Sequence, residues 1–201
     1  MMADKPRTDW FKSLNCDGAR GMALLWSVLL LSVLALGGER WRLWLEYQRQ
    51  ALSMDQWWRL LSAHLVHLNF VHLVFNLVGL MVLWIMFATE WWLTRWLMIV
   101  VGAILAIDIG LWFGSPEVQW YVGASGVLHG IWAAGAWAQL RRRLALGALP
   151  LLLLVVKLAY EQLHQTSLVL GNLPVVTEAH LYGTVGGLLS AWALARFSKP
   201  L

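Results

Sequence analysis

Six apolar stretches dominate the sequence, and each is close to the length of about 20 residues that a helix needs to cross a bilayer. They cover about residues 21–37, 65–88, 92–113, 124–140, 144–160 and 175–195. No cleavage site of small residues follows the first stretch, so we interpret it as a membrane span and not as a signal peptide. The pattern predicts an all-α polytopic membrane protein, a bundle of six transmembrane helices.

The composition excludes the other broad classes of protein. Hydrophobic residues make up 60% of the 201 residues and charged residues 13%, whereas soluble domains have about 45–50% and about 25%. Such a chain cannot cover a soluble fold with polar side chains, and it has too much apolar surface to stay disordered. The single cysteine, Cys16, excludes an intramolecular disulfide. The net charge of +4 is too small and scattered to predict a nucleic-acid partner.

Lysine and arginine mark the cytoplasmic ends of membrane helices. They occur in the N-terminal tail (1–20), in the link 141–143 and in the C-terminal tail (196–201). With six spans, these three segments lie on one side of the membrane. We therefore predict a single membrane domain (21–195) in the inner (cytoplasmic) membrane of the cell, with both termini in the cytoplasm.

The first loop, 38–63, departs from this charge rule. It lies on the predicted outer side, yet it is rich in arginine and tryptophan: Arg40, Arg42, Arg49, Arg59, Trp41, Trp44, Trp57 and Trp58. Arginine and tryptophan together are typical of an amphipathic helix that lies in the membrane interface. We predict such an interfacial helix for this loop.

Polar residues inside membrane spans cost free energy, so they are candidates for function. The second stretch carries His72 and Asn76 four residues apart, which puts them on one helix face. The fourth stretch opens with Ser125, and the sixth carries His180 one to two turns from its start. All three stretches enter from the outer side in the predicted topology. These polar groups are therefore expected at one depth, near the outer face.

Small residues let membrane helices approach closely. The fourth and sixth stretches carry glycine pairs four residues apart: Gly126 and Gly130, Gly183 and Gly187. If these pairs face each other, Ser125 and His180 reach the hydrogen-bond distance of a nucleophile and its base, about 2.6–3.2 Å. A serine at a helix N-terminus between Gly123 and Gly126 also has free backbone N–H groups that stabilise an oxyanion. This arrangement predicts acyl transfer.

The same residues resemble the motifs of rhomboid intramembrane serine proteases. The similar segments are Gly123-Ala124-Ser125-Gly126, Ala179-His180-x-x-Gly183-x-x-x-Gly187, His67-x-x-x-x-His72-x-x-x-Asn76 and Trp58-Arg59. The resemblance runs through all six stretches, and it implies a rhomboid-like bundle. It also implies a substrate protein with a transmembrane helix, cut near the outer face of the lipid bilayer, and a reaction without cofactor or metal.

The resemblance further implies a dyad of Ser125 as nucleophile and His180 as base, with no acidic third member. Oxyanion contacts come from His72, Asn76 and the Ser125 amide. One residue departs from the family pattern, because many rhomboids have a tyrosine four residues after the serine, where this chain has His129. Three roles stay open for His129: it supports His180, it binds substrate, or it only packs against its neighbours.

The segment from Ser125 to Gly130, together with the compact body, looks like the rhombosortase subgroup. That subgroup is associated with bacterial surface proteins that carry a C-terminal Gly-Gly sorting tail. The oligomeric state is not predicted.

Several alternatives stay open at this point. Asp108 lies near the depth of the site and is a candidate to orient His180. His67 is expected to form structural hydrogen bonds, and His64 to lie in the interface. His64 and His67 are three residues apart, as metal ligands can be, but no cysteine or acidic residue lies near them. A non-catalytic helix-binding member of the same fold and a histidine-lined carrier are the other functional hypotheses.

Overall fold

A computed structural model of the protein describes residues 18–142, 144–167 and 174–196, with only the backbone described for 144–146. Most of the two predicted tails, together with Cys16 and Arg143, lies outside these residues. The elements in chain order are α1 Ala19–Leu36, α2 Gly38–Leu45, β1 Tyr47–Gln48, α3 Arg49–Leu52, α4 Trp58–Ser62, α5 Phe70–Phe87, α6 Leu93–Ile109, a π-helical turn Gly110–Gly114, β2 Trp120–Tyr121, α7 Ser125–Arg142, α8 Leu144–His164 and α9 Thr177–Arg196.

Six of the described helices are long, and they lie on the six apolar stretches of the sequence. By length and composition, three of them are apolar enough to cross a membrane: α1, α5, and α6 with the turn after it, Leu93–Gly114. The other three, α7 to α9, are richer in glycine, alanine and polar residues, and α9 packs chiefly against α7 and α6. The predicted all-α polytopic membrane bundle is therefore confirmed.

Glycines bring α7 and α9 into backbone contact. A Cβ atom added at Gly183 would lie 2.0 Å from the carbonyl oxygen of Gly126, and one at Gly187 would lie 2.2 Å from that of Gly130. No side chain fits at such distances, so only glycine permits this approach. The prediction that the two glycine pairs face each other is confirmed, and the approach sets the distance between the N-terminal turns of the two helices.

The first loop is not one interfacial helix. It folds into three short helices (α2, α3 and α4) and the strand β1, which pairs antiparallel with β2 just before α7. The guanidinium of Arg59 is buried at the centre of this loop and donates to the carbonyl oxygens of Leu43 and Glu46, at 2.9 and 2.7 Å. These two carbonyl groups lie 16 and 13 residues before Arg59, so the hydrogen bonds bend the loop around the Arg59 side chain. The loop's tryptophans Trp41, Trp44, Trp57 and Trp58 are exposed.

Arg49 ties the same loop to the end of α6. Its guanidinium donates to four carbonyl oxygens, those of Leu111, Trp112, Ser115 and Val118. A helix end leaves carbonyl groups without intrahelical partners, and a buried carbonyl must find another donor. Arg49 supplies that donor at the C-terminal end of the π-helical turn.

Candidate active site

Ser125 and His180 meet at the N-terminal ends of α7 and α9. Ser125 is the first residue of α7, and its Oγ lies 2.9 Å from Nε2 of His180. His180 is buried on the first turn of α9. The distance lies within the range expected for a nucleophile and its base, about 2.6–3.2 Å.

A carboxylate lies on the other side of the His180 ring. Nδ1 of His180 is 2.8 Å from Oε2 of Glu161, and Oε1 of Glu161 accepts a hydrogen bond from Nζ of Lys157. The resemblance implies no acidic third member beside Ser125 and His180, yet this carboxylate lies at hydrogen-bond distance from His180. The reason is that α8 continues to His164, which carries Glu161 into the bundle with 0% of its surface exposed.

Sequence reasoning misses Glu161 because the fifth apolar stretch ends at residue 160, which leaves Glu161 in a loop. A signal was present in the spacing of Lys157 and Glu161, which are four residues apart on one helix face. Opposite charges at this spacing pair on helices. A pair of this kind at the end of an apolar helix indicates that the helix continues past it.

The His129 ring stacks on the His180 ring. The ring centroids are 4.1 Å apart and the ring planes differ by 13°. Nδ1 of His129 lies 2.6 Å from the carbonyl oxygen of Ser125 and donates to it. Its Nε2 has no hydrogen-bond partner among the described residues. Of the three roles left open for His129, support of His180 has a direct contact.

His72 and Gly123 border the Ser125 hydroxyl. Gly123 has φ +115°, a backbone conformation that favours glycine. A Cβ atom added there would lie 2.9 Å from Nε2 of His72 and 3.8 Å from Oγ of Ser125, so both groups lie on one side of Gly123. Both ring nitrogens of His72 are buried without a hydrogen-bond partner in the described part of the chain. A neutral histidine has one N–H group, so His72 has one donor available for the oxygen of a bound substrate.

Asn76 lies one helical turn below His72. Its Nδ2 donates to the His72 carbonyl oxygen at 2.9 Å, and its Oδ1 is buried without a described partner. The helix that carries both residues begins at Phe70, because the Asn69 side chain accepts from the backbone N–H of His72 at 2.9 Å. His67 lies on the preceding turn, and its ring meets that of His72 edge to face at 5.2 Å. Its nitrogens bond to none of the described residues, so the structural hydrogen bonds expected of His67 are not found there.

A second buried network holds the segment before Ser125. The Tyr121 hydroxyl donates to the Gly123 carbonyl oxygen at 2.5 Å and lies 3.3 Å from Nδ1 of His64. Burial raises the pKa of Tyr121, so this hydroxyl stays protonated. Nε2 of His64 lies 3.4 Å from Oδ1 of Asp108. Asp108 therefore contacts His64 and not His180, and His64 is buried and not interfacial.

A cavity of about 390 Å³ adjoins the site, between α5, α7 and α8. Ser125, His180 and Lys157 are among the residues that line it, and apolar side chains of α5 and α7 make up much of the remaining lining. Among these, Val78 and Val82 are exposed at the bundle surface. The cavity therefore connects the polar site with the apolar outside of the bundle.

Three possible metal ligands also meet here, because donor atoms of His129, Glu161 and His180 lie within 4.8 Å of one another. The two rings are nearly parallel, so their in-plane lone pairs do not converge on one point. Nδ1 of His180 already donates to Glu161. These contacts fit a hydrogen-bonded array better than a coordination shell.

Comparison with known proteins agrees with this architecture. The sequence model of a family described as "Rhomboid domain" matches residues 54–197. The chain is also 28% identical over 167 residues to a protein of Bacillus subtilis (strain 168) named "Putative rhomboid protease YdcA". That alignment covers 83% of this chain and 81% of the relative. The protein belongs to the rhomboid family of membrane-embedded proteases.

Proposed function

We propose that the protein is an intramembrane serine endopeptidase with Ser125 as nucleophile and His180 as general base. The observation that carries the proposal is the 2.9 Å contact between Ser125 Oγ and His180 Nε2 beside a cavity that reaches the bundle surface. Hydrogen bonds of this length between serine and histidine activate the hydroxyl for attack.

The reaction follows from these positions. Ser125 Oγ attacks the scissile carbonyl carbon while its proton passes to Nε2 of His180. The negative oxygen that forms is stabilised by the backbone N–H groups at the start of α7 and by the donor of His72, with Asn76 close by. His180 then protonates the leaving amine, and water or another nucleophile cleaves the acyl-enzyme ester.

The substrate is a protein with a single transmembrane helix. The apolar lining from α5 suits the side chains of such a helix. The helix must unwind near Ser125, because its carbonyl groups are otherwise held in intrahelical hydrogen bonds. Within the rhomboid family, His129 in place of the usual tyrosine supports the rhombosortase subgroup, whose substrates carry a C-terminal Gly-Gly tail. The proposed setting is the inner membrane, with the tails 1–20 and 196–201 in the cytoplasm and cleavage at the outer face of domain 21–195.

A reporter cleavage assay tests this function. The reporter is a single-span protein with Gly-Gly at the outer end of its helix and basic residues after the helix, reconstituted in liposomes with the purified protein. We expect one cut near the Gly-Gly pair, seen by intact mass spectrometry, and no cut with Ser125→Ala. Ser27→Ala, an exposed serine of α1, is the matched control and should cut normally. Cleavage that persists with Ser125→Ala refutes the proposal.

A further inference from the structure

We propose that Glu161, which also contacts Lys157, is the positioning residue of His180, so that the site works as a Ser125–His180–Glu161 triad. This inference rests on the function proposed above and adds to it a group that the family motifs do not contain. It comes from the contacts of α8, a helix that contributes neither the nucleophile nor the base.

The Glu161 carboxylate selects the tautomer of His180. A carboxylate only accepts hydrogen bonds, so the 2.8 Å contact requires that the proton of a neutral His180 be on Nδ1. Nε2, 2.9 Å from the Ser125 hydroxyl, is then unprotonated and ready to accept the serine proton. Without an acceptor at Nδ1, the proton is free to sit on Nε2, where it blocks this transfer.

Lys157 offsets the free-energy cost of burying the Glu161 carboxylate. Glu161 is fully buried, and a buried charge without an opposite charge is costly and tends to be neutralised by a proton. Nζ of Lys157 donates to the oxygen that does not contact His180, so the carboxylate keeps its charge while Oε2 stays with the ring. When His180 takes the serine proton, the imidazolium faces an ionised carboxylate at hydrogen-bond distance.

The test compares three variants with one matched control, using the rate at which a fluorophosphonate probe labels Ser125 in detergent. Glu161→Gln keeps the size of the side chain, but its amide can donate to Nδ1 and leave the proton on Nε2. Glu161→Asp changes the length and keeps the carboxylate. Glu117→Gln makes the same chemical change on the exposed outer loop, away from the site.

For Glu161→Gln we expect labelling up to about 10,000-fold slower than wild type, the loss in turnover seen when the carboxylate of a serine triad is replaced by its amide. Glu161→Asp should be faster than Glu161→Gln, and Glu117→Gln should match wild type. A purely structural role of Glu161 predicts the opposite order, because Gln has the same shape as Glu and Asp does not. If Glu161→Gln labels as fast as Glu161→Asp, the triad is refuted.

If Glu161→Gln does not fold, Lys157→Met is the second variant that tests the proposal. It should slow labelling at least tenfold, and a wild-type rate would overturn the role given to Lys157 and Glu161. Absence of any Ser125 label in the wild-type protein is a different outcome, since it contradicts the proposed function itself. The two failures are therefore distinguished within one experiment.

Discussion

The close approach of α7 and α9 gives a sharp prediction for Gly183→Ala. The new Cβ atom would lie 2.0 Å from the Gly126 carbonyl oxygen, whereas ordinary contacts begin at 3.4 Å. The two helices must therefore separate by roughly 1.4 Å at this point, because neither partner is a flexible side chain. Gly183 lies one turn from His180, and Gly126 follows Ser125, so the separation acts directly on the reacting pair.

The consequence is a loss of activity in a protein that still folds. A separation of this size lengthens the contact between Ser125 and His180 from 2.9 Å to about 4 Å, beyond the limit of a hydrogen bond. Misplacement of catalytic groups by about 1 Å costs about 100-fold in rate, so we expect fluorophosphonate labelling of Ser125 to slow at least that much.

The matched control is Gly79→Ala on α5, where the added Cβ atom would meet a Leu128 methyl group at an ordinary 3.5 Å. Both substitutions replace glycine by alanine inside a helix, so both gain the same helix propensity, about 1 kcal/mol. Although Gly79 lines the cavity, its added Cβ atom meets only Leu128, so Gly79→Ala should label close to the wild-type rate. If Gly183→Ala also labels at that rate, the glycine contact does not set the geometry of the site.

Three further predictions follow from other contacts. His72→Ala removes a donor near the attacked carbonyl and should slow labelling about 100- to 1,000-fold without lowering the melting temperature in detergent; an unchanged rate would exclude His72 from the oxyanion site. His129→Tyr keeps an aromatic ring on His180 and should retain most of the labelling rate, whereas His129→Ala should lose about tenfold; equal rates would show that the stacked ring has no role. Arg49→Met leaves four carbonyl oxygens without their donor and should lower the free energy of unfolding by at least about 2 kcal/mol, measured by denaturant titration in detergent; wild-type stability would show that water replaces the guanidinium.

Much of the fold was predictable because membrane helices are specified locally. Runs of apolar residues long enough to span a bilayer mark the helices, and each predicted stretch coincides with a long helix in the structure. The glycine pairs on two of these helices predict which faces meet. The proximity of Ser125 and His180 follows from those two local patterns taken together.

The parts that the sequence did not reveal depend on contacts between distant residues. Glu161 is buried next to His180, a residue of another helix whose Nδ1 contacts the Glu161 carboxylate. Hydropathy along α8 contains no information about that partner. The arginine and tryptophan pattern predicts one interfacial helix for the first loop, but Arg59 binds the carbonyl oxygens of Leu43 and Glu46, which lie 16 and 13 residues before it. Asp108 likewise pairs with His64, which comes from a segment 44 residues earlier.

The most direct test of the account is to locate the adduct formed by a fluorophosphonate probe on the wild-type protein, Ser125→Ala and His180→Ala. The labelled proteins are digested and the modified peptide is identified by mass spectrometry. We predict one phosphonyl group on Ser125 in the wild type and none in either variant. A folded, monodisperse wild-type protein without this adduct, or a His180→Ala variant that labels as fast as wild type, would contradict the central claim that His180 activates Ser125.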